Sequence, residues 1–428
     1  MTDRDQKQEH VVNLYLKHRP RKATLMLSTG FGKGRVAIKI ARALQVDKVL
    51  ILVNQDNLRD QMWKEEFAKM GLSQFYDESV ETVNYQSAYR WTSQEKNLDD
   101  YFIIADEVDF AARTEQYAKF FDEYAHCNIL GLTGFITEGK RLWFKEHLPL
   151  LYTYTAGQAQ TDKVLNKIDF IFVKFDLSRN PKDLTVRYKQ NGTEKKFTQS
   201  QNNAYDYNQK KVLENNQEKK ILDAKHMQGF TSRKEYEDGV KRWKYLNDLY
   251  ARKRADILLN NKASQKLVPL LVKHFMNQHP SNKIVVFSKR TAQSIAICGE
   301  DYVYNGAITA KKSEENFASF QAGDKRLLGV CDKLNRGANI DGLNIAIFET
   351  FSSSDTDAKQ RLGRLMRLGP DDRATAIVLL PYYMREDQNR TYSVQETAQV
   401  AWARRMIRSS GLNAKDAQIW DYRTVKDD

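Results

Sequence analysis

The sequence predicts an α/β protein of two lobes, each built on a parallel sheet, with a largely helical, basic insertion between them. Three observations carry the prediction. Apolar runs alternate with amphipathic helical periods over residues 24–150 and again after residue 283, the pattern of parallel strands joined by crossover helices. Residues 177–262 hold 20 Lys and Arg against 11 Asp and Glu, a net +9 of the chain's formal +13. At 428 residues and 41% hydrophobic, the chain is long enough for two or three separate cores.

In the first block TLMLSTG (24–30), KVLILVN (48–54), ETVNY (81–85), YFIIADE (101–107) and CNILGLTG (127–134) read as strands. KGRVAIKIARAL (33–44) and LRDQMWKEEFAKM (58–70) between them have the helical period. In the second block KIVVFS, RLLGVC, NIAIFET and RATAIVLL are the strands, and AQSIAI, SEENFASF and DAKQRLGRLMR the helices. The expected units are a first lobe over 1–176, the insertion over 177–262 and a second lobe over 263–428. Within the insertion, Asn191-Gly192 between partly alternating residues marks a hairpin, and 208–260 read as helical. Residues 199–217, rich in Asn and Gln, read as a mobile connection.

Composition narrows the class. No apolar run of about 18 residues is present, which excludes a membrane-spanning helix. The polar N-terminus carries no apolar signal segment, and Cys127, Cys298 and Cys331 are too scattered for a disulfide framework or a zinc site. A cytoplasmic setting is expected. The basic excess points to an anionic polymer as partner. Nine aromatics share the basic segment, among them Trp243 between Lys241, Arg242 and Lys244, and such interleaving can neutralise phosphates and stack bases. The spacing of Trp243, Asn247 and Tyr250 is equally that of a packed amphipathic helix.

Three elements point to nucleotide chemistry. LMLSTGFGKGRV places strand, glycine turn and helix in the order that cradles phosphate: Thr29, Gly30 and Gly32 form the turn and Lys33 reaches the β/γ-phosphates. YFIIADEVD delivers the adjacent carboxylates Asp106 and Glu107 at a strand end, as metal ligand and proton acceptor. DAKQRLGRLMR brings Gln360, Arg364 and Arg367 together at helical spacing, where arginines can neutralise charge developing on a γ-phosphate.

With these residues in this order, the chain resembles the superfamily 2 helicases and translocases. STGFGKG resembles motif I, LILVNQDNLRDQMWKEEF motif Ia, VETVNYQSA motif Ib, IIADEVD motif II and GLTGF motif III. KIVVFSKR resembles motif IV, LLGVCDKLNRGANIDGLN motif V and QRLGRLMR motif VI, while RDQKQEHVV is similar to the glutamine motif. The style of motifs V and VI resembles phage recombination and branch-migration helicases and restriction-enzyme translocases. The resemblance implies two RecA-like lobes with ATP and Mg²⁺ between them and nucleic acid crossing both. Carried over, it gives Gln6 as reader of the adenine edge, Lys33 on phosphate, Asp106 on Mg²⁺ and Glu107 as general base. Arg364 and Arg367 are the fingers beside Gln360. Gly337 couples cleft to strand, and Thr133 relays between the two sites. Asn84, Tyr85, Gln86, Ser288 and Lys289 line the nucleic-acid track, while outside the resemblance the basic, aromatic insertion offers Lys241, Arg242, Trp243 and Lys244 as nucleic-acid contacts.

Two departures stand out. Gly34 replaces the Ser or Thr whose hydroxyl normally ligands Mg²⁺, and Asp109 replaces a His found in many relatives. The expected activity is an ATP-dependent DNA helicase or translocase on forked or branched DNA, in the cytoplasm (the host's, if phage-encoded), working as a monomeric motor with other protein partners open. The alternatives are an RNA helicase, an ATP-sensing nucleic-acid-binding module with little hydrolysis, and the motor subunit of a restriction or repair complex.

Overall fold

A computed structural model describes residues 2–54, 56–92, 94, 96–190, 193–331, 340, 342–350, 361–366, 368, 369, 371–386 and 391–424. The first sheet has six parallel strands: β1 (Lys22–Leu27), β2 (Lys48–Val53), β3 (Val80–Asn84), β4 (Tyr101–Asp106), β5 (Asn128–Thr133) and β6 (Leu150–Tyr154), in the order β3-β2-β4-β5-β1-β6. Its strands are near-continuous runs of Val, Ile and Leu because helices cover both faces of such a sheet. Leu50, Ile51, Leu52, Ile103, Ile104, Leu130 and Leu132 are fully buried. A helix at Asp3–His18 closes one side. Its buried residues Gln8, Val11, Val12 and Tyr15 fall at helical spacing on one stripe.

The second sheet contains β7 (Lys167–Asp176), β10 (Ile284–Ser288), β11 (Val303–Tyr304), β12 (Leu327–Cys331), β13 (Ile345–Phe348), β14 (Arg373–Glu386) and β16 (Gln418–Asp421), in the order β11-β12-β10-β13-β14-β7-β16, with β15 (Tyr392–Glu396) antiparallel on β14. Between them in sequence lies the antiparallel hairpin β8 (Leu184–Gln190) and β9 (Thr193–Gln199), whose register pairs Gln190 with Thr193 and so leaves the two-residue connection that Asn191-Gly192 predicts.

Two expectations are corrected here. Lys167–Asp176, assigned from sequence to the first lobe, belongs to the second sheet, where it pairs with β14 along its whole length from Lys167↔Arg373 to Asp176↔Tyr382. Its other edge pairs with β16 over Ile171–Lys174, so the strand lies inside the sheet and its backbone groups are satisfied there. The insertion therefore lies inside the second lobe rather than between lobes. The Asn- and Gln-rich stretch is not a loose connection but the root of a 27-residue helix, Gln201–Met227, antiparallel to a second of the same length, Arg233–Leu259. Its amides are structural. Gln201 Nε2 donates to Asn260 O at 2.7 Å, Asn202 Nδ2 donates to Met384 O at 3.0 Å, and Met384 N donates back to Asn202 Oδ1 at 2.6 Å. Leu177, Ala204, Tyr205, Ile257, Leu258 and Tyr383 make a small apolar core at the same root. The three cysteines are buried and free, and among the described residues no helix is long and apolar enough to cross a membrane.

Candidate functional site

In parallel α/β sheets, ligand sites form at the carboxyl ends of the strands. Here β1 ends in the turn Ser28–Gly32. Gly30 (φ +88°) and Gly32 (φ +92°) take the left-handed conformation that glycine adopts without a Cβ penalty, and the following helix, Lys33–Ala43, aims its first N–H groups into the turn. The Lys33 Nζ lies 3.5 Å from where a Cβ on Gly134 would stand, and Thr29 Oγ1 lies 3.4 Å from the same point. The phosphate turn and the GLTGF segment thus face one another.

The neighbouring strand β4 delivers Asp106 and Glu107, both half-buried. Glu107 holds φ +47°, ψ +48°, a left-handed conformation that costs a non-glycine residue on the order of 1–3 kcal/mol and clusters at functional sites. Asp109 is almost fully buried. It accepts from Thr133 Oγ1 at 3.2 Å and pairs with Lys140 at 3.3 Å, and the Lys140 ammonium also donates to the Asp109 carbonyl. Burial pushes the Asp109 carboxyl up from its ordinary value, against the pull of Lys140. Thr133, expected as a relay, is therefore bonded directly to the carboxylate segment.

The segment 361–366 of the second lobe comes down onto the phosphate turn. A Cβ on Gly363 would stand 2.6 Å from Thr29 Cγ2, and one on Gly30 would stand 2.8 Å from Met366 O. Arg364, in the same segment, is buried at 4% exposure. Gln360, Arg367 and Gly337 lie outside the described residues. Arg361, which sequence reasoning passed over, is also buried. Its guanidinium approaches Thr350 O at 3.4 Å and Ser288 O at 3.5 Å and sits over the Phe287 ring at 5.4 Å.

Other expectations shift. Gln6 is exposed, whereas Gln8 is 1% exposed and donates through Nε2 to Phe31 O at 2.8 Å, leaving its buried Oε1 without a hydrogen-bond partner. The period could have found this, because Gln8 shares a stripe with Val11, Val12 and Tyr15 and Gln6 does not. Gln86 is exposed and Asn84 half-buried, its Oδ1 capping the helix Tyr85–Trp91 through Ser87 N at 2.7 Å. Tyr85, expected on the nucleic-acid track, is instead buried at 3% exposure with its hydroxyl donating to Asp106 O at 2.8 Å. Ser288 is fully buried, and Lys289 beside it is half-buried. Lys241, Arg242 and Lys244 are exposed. Trp243, however, turns between the two long helices, its Nε1 donating to Asn216 Oδ1 at 3.2 Å with the Lys219 ammonium 5.6 Å over the ring. The packed-helix spacing of Trp243 and Tyr250 decides this placement.

At the carboxyl ends of β10 and β13, Glu349 was missed altogether. It is fully buried and accepts from Ser264 Oγ at 2.6 Å and Gln293 Nε2 at 3.0 Å, with Thr350 Oγ1 also donating to it. Burial raises its pKa, and these hydrogen bonds only partly oppose the rise.

At Gly34 a Cβ would meet Trp63 Cζ3 at 3.5 Å, Trp63 Cη2 at 3.6 Å and Glu66 Cγ at 3.7 Å, all ordinary contacts. The donor set fits a nucleotide with a hard cation. Glycine-lined backbone, one lysine and the oxygen of Asp106 suit phosphate and Mg²⁺, with one protein ligand fewer than a Ser or Thr at 34 would give.

Comparison with known proteins agrees with this geometry. Residues 1–138 match the family described as type III restriction enzyme, res subunit, and residues 262–369 match the helicase conserved C-terminal domain. No curated protein matches the chain in sequence. Among solved structures, S. cerevisiae Dbp5 bound to RNA and ADP BeF3 is similar at 11% identity and TM-score 0.52, covering 97% of this chain and 89% of that one. The Pyrococcus furiosus Hef helicase domain is similar at 16% identity and TM-score 0.50, covering 88% and 94%. The ATP-dependent type ISP restriction-modification enzyme LlaBIII bound to DNA is similar at 12% identity and TM-score 0.57, covering 97% of this chain but 31% of that much longer one.

The buried carboxyl at Glu349 gives a pH test. Its pKa is raised in the folded state, so the stability tied to its neutral form is complete below the unfolded value of about 4.3 and is lost as pH rises through the folded value. Glu349→Gln keeps the shape and cannot ionise. Its thermal midpoint should gain on the wild type as pH rises above about 4; a gap that is constant with pH would mean that Glu349 titrates in the fold as it does in the unfolded chain.

The Gly34 contacts give a second test. Gly34→Thr should fold normally, since the added Cβ meets only ordinary contacts and glycine in a helix costs up to ~1 kcal/mol against alanine. It should also need less Mg²⁺ for half-maximal nucleotide turnover, and an unchanged or higher requirement in a Mg²⁺ titration counts against the missing-ligand account.

With the restriction-enzyme res-subunit family matched before the insertion, the helicase conserved C-terminal domain matched after it, and a two-sheet fold shared with solved helicases, the chain carries the paired domains of a nucleotide-hydrolysing helicase-type enzyme.

Proposed function

We propose that the protein is an ATP-dependent motor on nucleic acid, a helicase or translocase whose substrate is DNA, forked or branched, and that it works as a monomer. The observation that carries the reading is the seating of the Arg364 segment on the phosphate turn, where Gly363 meets Thr29. In this reading Lys33 and the N–H groups of the turn hold the phosphates, and Gln8, not Gln6, is the glutamine at the turn. Mg²⁺ held by Asp106 would neutralise phosphate charge. Glu107 accepts a proton from the water that attacks the γ-phosphorus as the β–γ bridge breaks, and Arg364, with Arg367, stabilises the charge that develops there. Closing and reopening of the lobes then moves the strand that both grip. Lys241, Arg242 and Lys244, exposed on the insertion, supply phosphate contacts, and Trp243 serves packing. DNA is favoured by the match of the first lobe to a restriction-enzyme subunit and by the likeness to a restriction-modification enzyme solved on DNA.

Gly34 favours a second reading, an ATP sensor with little turnover. Measuring ATP hydrolysis with single-stranded, duplex and forked DNA, and with RNA of the same sequences, separates them. Forked DNA should stimulate most, RNA in place of DNA would reassign the substrate, and nucleotide binding without turnover on any of them would support the sensor.

Glu107→Gln removes the proton acceptor and leaves Asp106 in place. It should lower kcat by a factor on the order of 10²–10⁴ while ATP affinity holds. Collapse of ATP affinity with kcat unchanged would reverse the roles of the two carboxylates.

A further inference from the structure

At the end of the first sheet opposite the phosphate turn, three metal-ligating side chains meet. Strands β4 and β5 are parallel neighbours with Phe102 opposite Asn128, so the residues that precede them stand side by side: Asp99 ahead of β4, His126 and Cys127 ahead of β5. Asp106 closes β4 about 23 Å away, seven residues on at about 3.3 Å each, so the cluster lies apart from the nucleotide site.

The donor atoms are already close. His126 Nε2 lies 2.9 Å from Asp99 Oδ1, and one ligand atom each from Asp99, His126 and Cys127 fall within 4.8 Å of one another. Around a tetrahedral ion with bonds of about 2.0–2.3 Å, neighbouring donors stand roughly 3.3–3.6 Å apart. The carboxylate and imidazole therefore need to part by only a few tenths of an ångström, and the sulfur to approach by at most about 1.3 Å. Side-chain rotation covers that.

The two segments are also held together. Tyr124 OH donates to Trp91 O at 3.3 Å and to Lys96 O at 3.1 Å, Cys127 N donates to Tyr124 O at 3.1 Å, and Asp99 N donates to Asn97 Oδ1 at 2.8 Å. The Cys127 thiol faces the Asp99 segment, with Sγ 3.6 Å from Leu98 O. Asp99 and His126 are exposed and Cys127 is buried at 3% exposure, so the sulfur closes the inner side and solvent reaches the outer one. An exposed Asp–His pair alone is an ordinary surface contact. The thiol beneath it changes the chemistry.

We infer that Asp99, His126 and Cys127 bind Zn²⁺, with water as the fourth ligand. One carboxylate oxygen, one imidazole nitrogen and one sulfur suit this borderline-soft ion, whereas Mg²⁺ and Ca²⁺ call for six or more oxygens. Burial and the Asp99 carboxylate push the Cys127 thiol up to about 11, so without metal it keeps its proton. As the S–Zn bond forms that proton leaves to solvent. The ion would pin the starts of β4 and β5 to one another, and the site does not depend on the motor reading.

The test adds Co²⁺, a spectroscopic stand-in for Zn²⁺, to the metal-free full chain without nucleotide. A thiolate-to-cobalt band should appear, saturate near one ion per chain and vanish when Zn²⁺ is added. Zn²⁺ binding at pH 7 should release about one proton and raise the thermal midpoint. Cys127→Ser should abolish the band. His126→Gln changes an exposed side chain, so its midpoint without metal should not move, while its Zn²⁺ affinity should fall tenfold or more. His126→Gln decides the matter if Cys127→Ser does not fold. No thiolate band, a band that survives Cys127→Ser, or Zn²⁺ affinity within about twofold of wild type in His126→Gln would overturn the site.

Discussion

Where most residues carry a methyl group, Gly363 carries a hydrogen, and the meeting of the two lobes depends on that difference. A Cβ there would press to 2.6 Å from Thr29 Cγ2, closer than real Cβ atoms approach, so the segment 361–366 can lie on the phosphate turn only with glycine at this point. The contact is reinforced around it. The chain joining the lobes passes beneath: Asn166 Nδ2 donates to Leu365 O at 2.9 Å, Arg4 Nη2 donates to Val164 O at 3.1 Å, and Leu165 Cδ2 lies 3.1 Å from where a Gly30 Cβ would stand. Joining segment, N-terminal helix, phosphate turn and second-lobe segment therefore share one packed junction.

That junction also decides what the insertion can do. Because β7 precedes the insertion in sequence and sits inside the second sheet, both ends of the arm return to the same rigid body. The root is fastened by paired amide bonds, Asn202 to the backbone of Met384 in both directions, and by Tyr205, whose hydroxyl accepts from Ala398 N at 2.8 Å. Hydrogen bonds of fixed direction resist the sliding that a purely apolar seam permits. Any rotation of the second lobe would thus be carried outward along the helices, about 40 Å for 27 residues.

The sequence was most legible where burial leaves little choice. The runs KVLILV, YFIIAD and IVVFS became β2, β4 and β10 because strands covered on both faces are apolar throughout. The strand LLYTY and the short QIWD carry weaker patterns, and KIDFIFVKFD, placed with the first lobe, was not read as a strand of the second sheet, since pairing partners distant in sequence leave no local trace. Lys33 and the carboxylates stand at the strand ends that their motifs demand. Tyr85 points inward because it spends its hydroxyl on the Asp106 carbonyl, Ser288 is fully buried, and a motif says nothing about either. The Asn and Gln stretch misled for a related reason: amides look like solvent-facing residues until a backbone edge needs them.

The Tyr85 bond bears on the strained residue next to it. Glu107 can leave its left-handed conformation by rotating the peptide that joins it to Asp106, a motion that swings the Asp106 carbonyl oxygen. That oxygen is the acceptor of the Tyr85 hydroxyl at 2.8 Å, and the Tyr85 ring is wedged against Phe110 and Tyr117 at centroid distances of 5.9 and 6.1 Å. On the other side the chain is tied by Asp109 to Thr133 and Lys140. Relaxing Glu107 would therefore cost a hydrogen bond that the packed aromatic ring cannot follow. The strain is held from both flanks, and it sets the direction of the carboxylate that the proposed chemistry requires. The helix that supplies the ring, Tyr85–Trp91, is capped by the half-buried Asn84, whose Oδ1 accepts from Ser87 N, so the ring is anchored at the helix start as well as by its aromatic neighbours.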